Sequence, residues 1–129
     1  MSDYSQIKLI FSDIDGTLLP FSGKDLTATA KLIEELIQSG IGFIPCTGRG
    51  TGNIPPVILQ VPGLRYAITA NGGLITDLTS REVLRERTVP RELARRITAF
   101  LRHYNGFPYT YRRGLHYLDT KRAIPAFSP

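Results

Sequence analysis

Apolar residues come as short runs in the first half of the chain and at helical spacing later on. Ile7, Leu9, Ile10 and Phe11 form a run that ends in Asp13, Ile14, Asp15 and Gly16. An apolar run of this length, bounded by a glycine turn, predicts a central parallel strand covered on both faces. Thr27 is placed to cap a helix whose Leu32, Ile33, Leu36 and Ile37 share one face, and Gly40 stops it. Ile41 to Pro45 is a second apolar run, so Lys8 to Pro45 reads as strand, helix, strand, with a parallel pair and a right-handed crossover. A Gly-rich loop, CTGRGTGN, occupies residues 46–53; Pro55 then opens a short helix through Gln60, and Tyr66 to Ala70 makes a third strand before Asn71-Gly72-Gly73.

Beyond this point the pattern changes from strands alternating with helices to paired strands. Leu74 to Thr76 and Glu82 to Arg85 flank Asp77-Leu78-Thr79-Ser80, which predicts a hairpin with a longer loop. Leu93, Ile97, Phe100, Leu101 and Tyr104 describe an amphipathic helix from Pro90 to about Gly106, with Arg91, Arg95, Arg96 and Arg102 on its polar side. Tyr109 to Tyr111 and Leu115 to Leu118, turning at Arg112-Arg113-Gly114, predict a second hairpin. The fold class is therefore α/β: a partial Rossmann-like core with parallel strands over residues 1–72, followed by an αβ piece with antiparallel hairpins over residues 73–129.

Composition adds boundaries rather than identity. The 129 residues are 42% hydrophobic and 21% charged, as in an ordinary globular protein. No apolar run approaches bilayer length and no signal segment opens the chain, so the expected location is cytoplasmic. The single Cys46 permits neither an internal disulfide nor a multi-cysteine zinc site. The net charge of +5 is unevenly placed: residues 1–80 hold five Lys or Arg against seven Asp or Glu, and residues 81–129 hold eleven against four. That basic half reads as a solvated arginine-rich face or as an attractor for an anionic ligand.

Candidate chemistry concentrates at the end of the first strand. Open α/β sheets bind ligands at the C-terminal ends of their strands. Asp13 and Asp15, separated by one residue, are expected to be presented by a chain that leaves the strand between them, and Gly16 supplies the freedom. A carboxylate in this position can be a nucleophile, a metal ligand or both, and hard oxygen donors favour magnesium. Asp-Gly is also a common turn pair, so the two residues read equally as turn formers.

The run Phe11-Ser12-Asp13-Ile14-Asp15-Gly16-Thr17-Leu18-Leu19 resembles the first motif of the haloacid dehalogenase-like (HAD) hydrolases, and Cys46-Thr47-Gly48-Arg49 resembles the second. Asn71-Gly72-Gly73 ahead of a hairpin is similar to the cap entry of the Cof-type, sugar-phosphatase-like branch. The resemblance implies that Asp13 is the nucleophile forming an aspartyl phosphate and that Asp15 is the acid/base. It implies a Mg2+ ion bound by Asp13 and by the backbone carbonyl of Asp15. Thr47 would hold phosphoryl oxygens, with backbone N–H groups around Gly16 and Gly48 as further donors. Arg49 would either meet a substrate phosphate as a fork or form a salt bridge at a domain edge, and Asn71 would line the cleft or serve as a turn residue.

Two further family motifs, a charge-neutralising Lys and an acidic metal-binding segment, have no counterpart here. Lys121 lacks the surrounding pattern, and no acidic residue follows Asp119. The expectation is thus the N-terminal portion of a Mg-dependent phosphate-monoester hydrolase acting on a small phosphorylated metabolite, weak or inactive as this chain. Without the strand carrying the acidic motif, the Asp13 strand has an open edge, which predicts origin in a longer protein, self-association or rearranged pairing. The alternative is a non-catalytic phosphate- or partner-binding module, and nucleic-acid binding ranks last. Gly52 stands where a Cys-based phosphatase loop requires Arg, and glycines 48, 50 and 52 do not complete a dinucleotide fingerprint. His103 and His116 lack paired ligands nearby in sequence and read as structural or solvated.

Overall fold

The computed structural model describes residues 6–19, 25–104, 109–112 and 115–118. Strand β1 (Leu9–Ser12) pairs in parallel with β2 (Gly42–Pro45), in register from Leu9 opposite Gly42 to Ser12 opposite Pro45. Helix α1 (Thr27–Gln38) connects them, so the predicted strand–helix–strand unit with its parallel pair is present. Its fully buried contact is Ile33, with Leu36 and Ile37 partly buried beside it, whereas Leu32 is 57% exposed and lies off the packing face.

Both helix ends have local causes. Leu26, not Thr27, is the N-cap residue, and the Asp25 carboxylate accepts hydrogen bonds from the Thr27 amide and hydroxyl. This satisfies a first-turn donor that has no intrahelical partner. At the other end Gly40 sits at φ +87° just past the Ser39 cap, and the Gly40 and Ile41 amides donate back to Ile37 and Leu36. A left-handed residue there closes the helix, a position glycine fills without steric cost.

A short helix α2 (Pro56–Leu59) follows, with Pro55 as its N-cap. Its Ile58 is fully buried and joins Ile14, Ile33, Phe43, Ile54 and Ala67 in one core beneath the C-terminal ends of β1 and β2. Removing such side chains from water contributes about 1.5–3 kcal/mol each.

Strand β3 (Tyr66–Thr69) is the expected third strand and lies beside β2. It pairs antiparallel with β4 (Leu74–Asp77) across a tight turn, and β4 pairs antiparallel with β5 (Val83–Glu86), completing the predicted hairpin. Its link to β2 is one parallel bridge, Cys46 to Ile68, with the Thr47 amide donating to the Ile68 carbonyl at 2.9 Å. Ala70 and Asn71 adopt φ of 51° and 54° at the reversal, which lets the chain turn back along β3 at once. The β4–β5 loop is held by Asp77, whose carboxylate accepts from the Ser80 and Thr79 amides and from Arg65 Nε. The Ser80 amide, followed by Arg65 and Thr79, keeps that carboxylate below its ordinary range against the cost of burial.

Helix α3 (Arg91–His103) forms as predicted, as does the antiparallel pair β6 (Tyr109–Arg112) and β7 (Leu115–Leu118). The packing expected of α3 is different: Leu93, Ile97, Phe100 and Tyr104 are all exposed, with the Phe100 and Tyr104 rings 4.9 Å apart. β1 shows the same departure. Its Leu9 and Phe11 are 54% and 56% exposed, and among the described residues only β2 pairs with it. The expected burial on both faces fails because no described element covers the outer face. The turn at residues 113–114, Lys121, the His116 side chain and the tail from residue 121 lie outside the described residues.

Candidate active site

Two loops leave the C-terminal ends of the parallel pair β1–β2 and meet. The first begins where β1 ends at Ser12. Ile14 turns inward and is fully buried, which leaves Asp13 and Asp15 on either side of it exposed to solvent. The turn is closed by the Gly16 amide donating to the Leu19 carbonyl (2.8 Å) and the Leu19 amide donating to the Ile14 carbonyl (2.7 Å). Gly16 takes φ +77°, the conformation the turn requires of it. The chain leaves β1 at Ser12, one residue earlier than the exit expected between the two carboxylates, and the buried Ile14 anchors the turn that presents both.

Asp13 accepts a hydrogen bond at Oδ1 from the Ile14 amide, 2.7 Å away. Its charge also bears on Cys46: burial first, and the Asp13 carboxylate second, push that thiol up. The thiolate form of Cys46 is therefore disfavoured.

The second loop starts with Thr47, buried at 5% exposure. Its hydroxyl oxygen accepts from the Arg49 amide at 3.1 Å, its carbonyl accepts from the Asn71 amide at 3.2 Å, and the Arg49 carbonyl accepts from the Ala70 amide at 2.8 Å. The loop is thereby stitched to the β3–β4 turn. Gly48 faces Asn71 so closely that an added Cβ would lie 2.9 Å from Asn71 Oδ1. A Cβ there would push the Asn71 amide aside, so with glycine in place Thr47, Gly48, Arg49 and Asn71 come together as one wall.

Arg49 joins the two loops. Its Nη2 donates to Asp15 Oδ1 at 2.6 Å and its Nε to Asp15 Oδ2 at 2.9 Å, a fork on one carboxylate. The remaining Nη1 donates to the Asn53 carbonyl at 2.9 Å. This fork holds the Asp15 carboxyl below its ordinary range, and the same contact pushes Arg49 up. Of the two uses weighed for Arg49, the structure displays the ion pair.

Sequence reasoning missed three contributors. The Asn53 carbonyl is a backbone atom and carries no side-chain signal. The buried Thr69 pairs its hydroxyl with that of Thr51 at 3.1 Å, tying the second loop to β3 across eighteen residues of chain. Ile14 sits in the middle of the recognised motif, and only its full burial shows that it anchors the turn.

The donors present suit a hard divalent cation: Asp13 offers carboxylate lone pairs beyond the one engaged by the Ile14 amide, and Asp15 offers a main-chain carbonyl while its side chain is taken. Among the described residues no group of three or more His, Cys, Asp or Glu could enclose an ion. A cation that keeps several waters and takes one or two carboxylates, as Mg2+ does, fits such a sparse set.

The profile of the haloacid dehalogenase-like hydrolases matches residues 10–124, from the middle of β1 to beyond β7. The chain belongs to the haloacid dehalogenase-like hydrolase family. It is similar to a protein of Buchnera aphidicola subsp. Baizongia pistaciae bearing a provisional phosphatase name, at 34% identity over 66% of this chain and 33% of that protein. Among solved structures, a sugar phosphatase of HAD subclass IIB is 27% identical, with a TM-score of 0.70 over 86% of this chain and 43% of the other. A HAD phosphatase from Bacteroides thetaiotaomicron, at 22% identity, shows the fold alone, with a TM-score of 0.72 over 97% of this chain and 46% of the other. This HAD chain therefore spans about a third of the curated relative's length and less than half of each structural relative's. Its α/β architecture agrees with these neighbours. No helix among its described residues is long and apolar enough to cross a membrane.

Proposed function

We propose that this HAD chain carries the nucleophile-bearing part of a Mg2+-dependent phosphate-monoester hydrolase for small phosphorylated metabolites. The observation that carries the reading is the placement of the Asp13–Asp15 turn and the Thr47 loop side by side at the C-terminal ends of β1 and β2. In this reading residues 1–72 are the catalytic core and residues 73–129 the first part of a substrate-selecting cap, and the protein acts in the cytoplasm. A sugar phosphate is the substrate class suggested by the subclass IIB relative.

Each residue then has a distinct task. Asp13 attacks phosphorus through its free carboxylate oxygen and becomes an aspartyl phosphate, while its Oδ1 stays oriented by the Ile14 amide. Asp15 gives a proton to the departing alcohol oxygen and later takes one from the attacking water. To do so its carboxyl must leave the Arg49 fork, because a carboxylate held there is kept anionic. Thr47 and the amides near Gly48 face the transferring oxygens, and Asn71 borders the cleft. When bound by Asp13 and the Asp15 carbonyl, Mg2+ supplies charge neutralisation for the phosphoryl oxygens.

The chain carries no counterpart of the family's Lys and acidic motifs, so charge stabilisation is incomplete and turnover is weak or absent. Loss of a single stabilising donor of this kind costs about 10²–10³-fold in kcat. The test is p-nitrophenyl phosphate hydrolysis with and without Mg2+, for the chain and for Asp13→Asn. Metal-dependent turnover abolished by Asp13→Asn supports the site but refutes the inactivity; metal-independent turnover that survives Asp13→Asn refutes the site.

The neutralised Asp15–Arg49 pair favours a second reading, a non-catalytic phosphate- or partner-binding module. Calorimetry that detects phosphate binding dependent on Thr47, without hydrolysis, selects it. The exposed Leu9 and Phe11 on β1 support self-association through that edge as part of either reading. Sedimentation equilibrium checks it, and a monomer across the micromolar range counts against it.

A further inference from the structure

The Arg49 guanidinium is the most committed cation in the described site, yet its partner is a residue assigned to proton transfer. We propose that Asp15 is an internal stand-in for the substrate's phosphate, so that Arg49 captures an anion only by exchanging the Asp15 carboxylate for it. This rests on the reading of the Thr47 loop as a phosphate site. Three observations carry it.

The first is geometry. A guanidinium presents parallel N–H groups that match carboxylate and phosphate oxygens alike. Arg49 spends Nε and Nη2 on the two Asp15 oxygens, at 2.9 and 2.6 Å, which is the way it would grip two oxygens of a phosphate. The second is anchoring. Nη1 is held by the Asn53 carbonyl at 2.9 Å, so the guanidinium is fixed from behind by its own loop and the forked edge alone is exchangeable. The Arg49 amide is likewise fixed, on the Thr47 hydroxyl.

The third is access. The side chains of Arg49 and Asp15 are 32% and 48% exposed, so an anion arriving from solvent can reach the fork without unfolding anything. A pair this open is worth only about 0.2–1 kcal/mol, whereas a phosphate brings up to two charges to the same donors. Exchange is therefore favourable, and a seated anion shifts the Asp15 carboxyl from mostly held to released.

The experiment measures inorganic phosphate and tungstate affinity by calorimetry at low salt for the chain and for Asp15→Asn, Arg49→Gln, the double variant and Asp13→Asn. Asp15→Asn is expected to bind about 2–5-fold more tightly, the factor equivalent to freeing one exposed pair. Arg49→Gln is expected to bind more weakly than the wild type, and the gain from Asp15→Asn to vanish when Arg49 is replaced. Asp13→Asn removes the same charge without freeing the fork and sets the size of a purely electrostatic effect. In 15N-labelled protein the Arg49 Nε–H resonance is expected to move on phosphate addition and to keep its position with chloride.

A gain in Asp15→Asn no larger than in Asp13→Asn, or one that persists without Arg49, overturns the exchange while leaving the phosphate site standing. Absence of phosphate and tungstate binding in every variant, with native circular dichroism spectra, overturns the phosphate site and the exchange together.

Discussion

Truncating Ile14 to alanine tests whether the turn that presents the two carboxylates is built on the core. Ile14 is fully buried between exposed Asp13 and Asp15 and belongs to the cluster that includes Ile33, Ile54 and Ile58. Ile14→Ala removes three carbons, each worth about 0.8 kcal/mol of transfer free energy, which sets a floor near 2.4 kcal/mol. Surrounding side chains relax only partly, and the residual void lifts the expected loss to about 3–4 kcal/mol. Against a total stability on the order of 5–15 kcal/mol this is a large fraction. Ile14→Val keeps most of the volume and is expected to lose about 0.5–1.5 kcal/mol. The chain has no tryptophan, so urea unfolding is followed by far-ultraviolet circular dichroism. A loss under about 1 kcal/mol for Ile14→Ala, with the denaturant slope of the wild type, refutes the claim that this side chain anchors the turn.

Thr47→Val keeps shape but deprives the Arg49 amide of its acceptor in a buried place, and is expected to cost about 1–3 kcal/mol, with Thr47→Ser recovering most of it in the same urea assay. Gly40→Ala meets no atom within 4 Å, so its expected cost of about 1–2 kcal/mol is backbone strain at φ +87°; equal stability would show that the helix end can close another way. Asp15 has a depressed folded-state pKa, so its contribution is present above the unfolded value near 4 and is lost as pH falls through the lower, folded value. As pH falls below about 4 the wild type should therefore lose more stability than Asp15→Asn, by no more than about 1 kcal/mol because the pair is half exposed; parallel curves would remove the ion pair from the solution structure.

Much of this architecture was legible before any coordinates. The helix over residues 27–38, the hairpin of β4 and β5, the amphipathic α3 and the parallel β1–β2 pair follow from periodicity and glycine placement, which are properties of neighbouring residues. The short motifs around Asp13 and Thr47 were legible for a related reason. Catalytic turns of this kind need particular small and acidic residues in immediate succession. The N-cap of α1 falls at Leu26, one residue before the expected Thr27, and the accepting side chain is Asp25; Asp25 and Thr27 are both good capping types, and only the backbone path decides which one accepts.

What the sequence determined by itself was the order of elements, the family and the identity of the residues that could carry chemistry. The tertiary structure decided which of them meet. Arg49 and Asp15 stand 34 positions apart, and no local pattern says whether a guanidinium will face a ligand or a carboxylate of its own chain. The same holds for β3, which bridges to β2 on one side and pairs with β4 on the other. The apolar run marked both faces of β1, and periodicity one face of α3, as apolar, but a pattern reports only what a face prefers. Whether that face is covered depends on a second element arriving in space, and for Leu9, Phe11, Phe100 and Tyr104 no described element does.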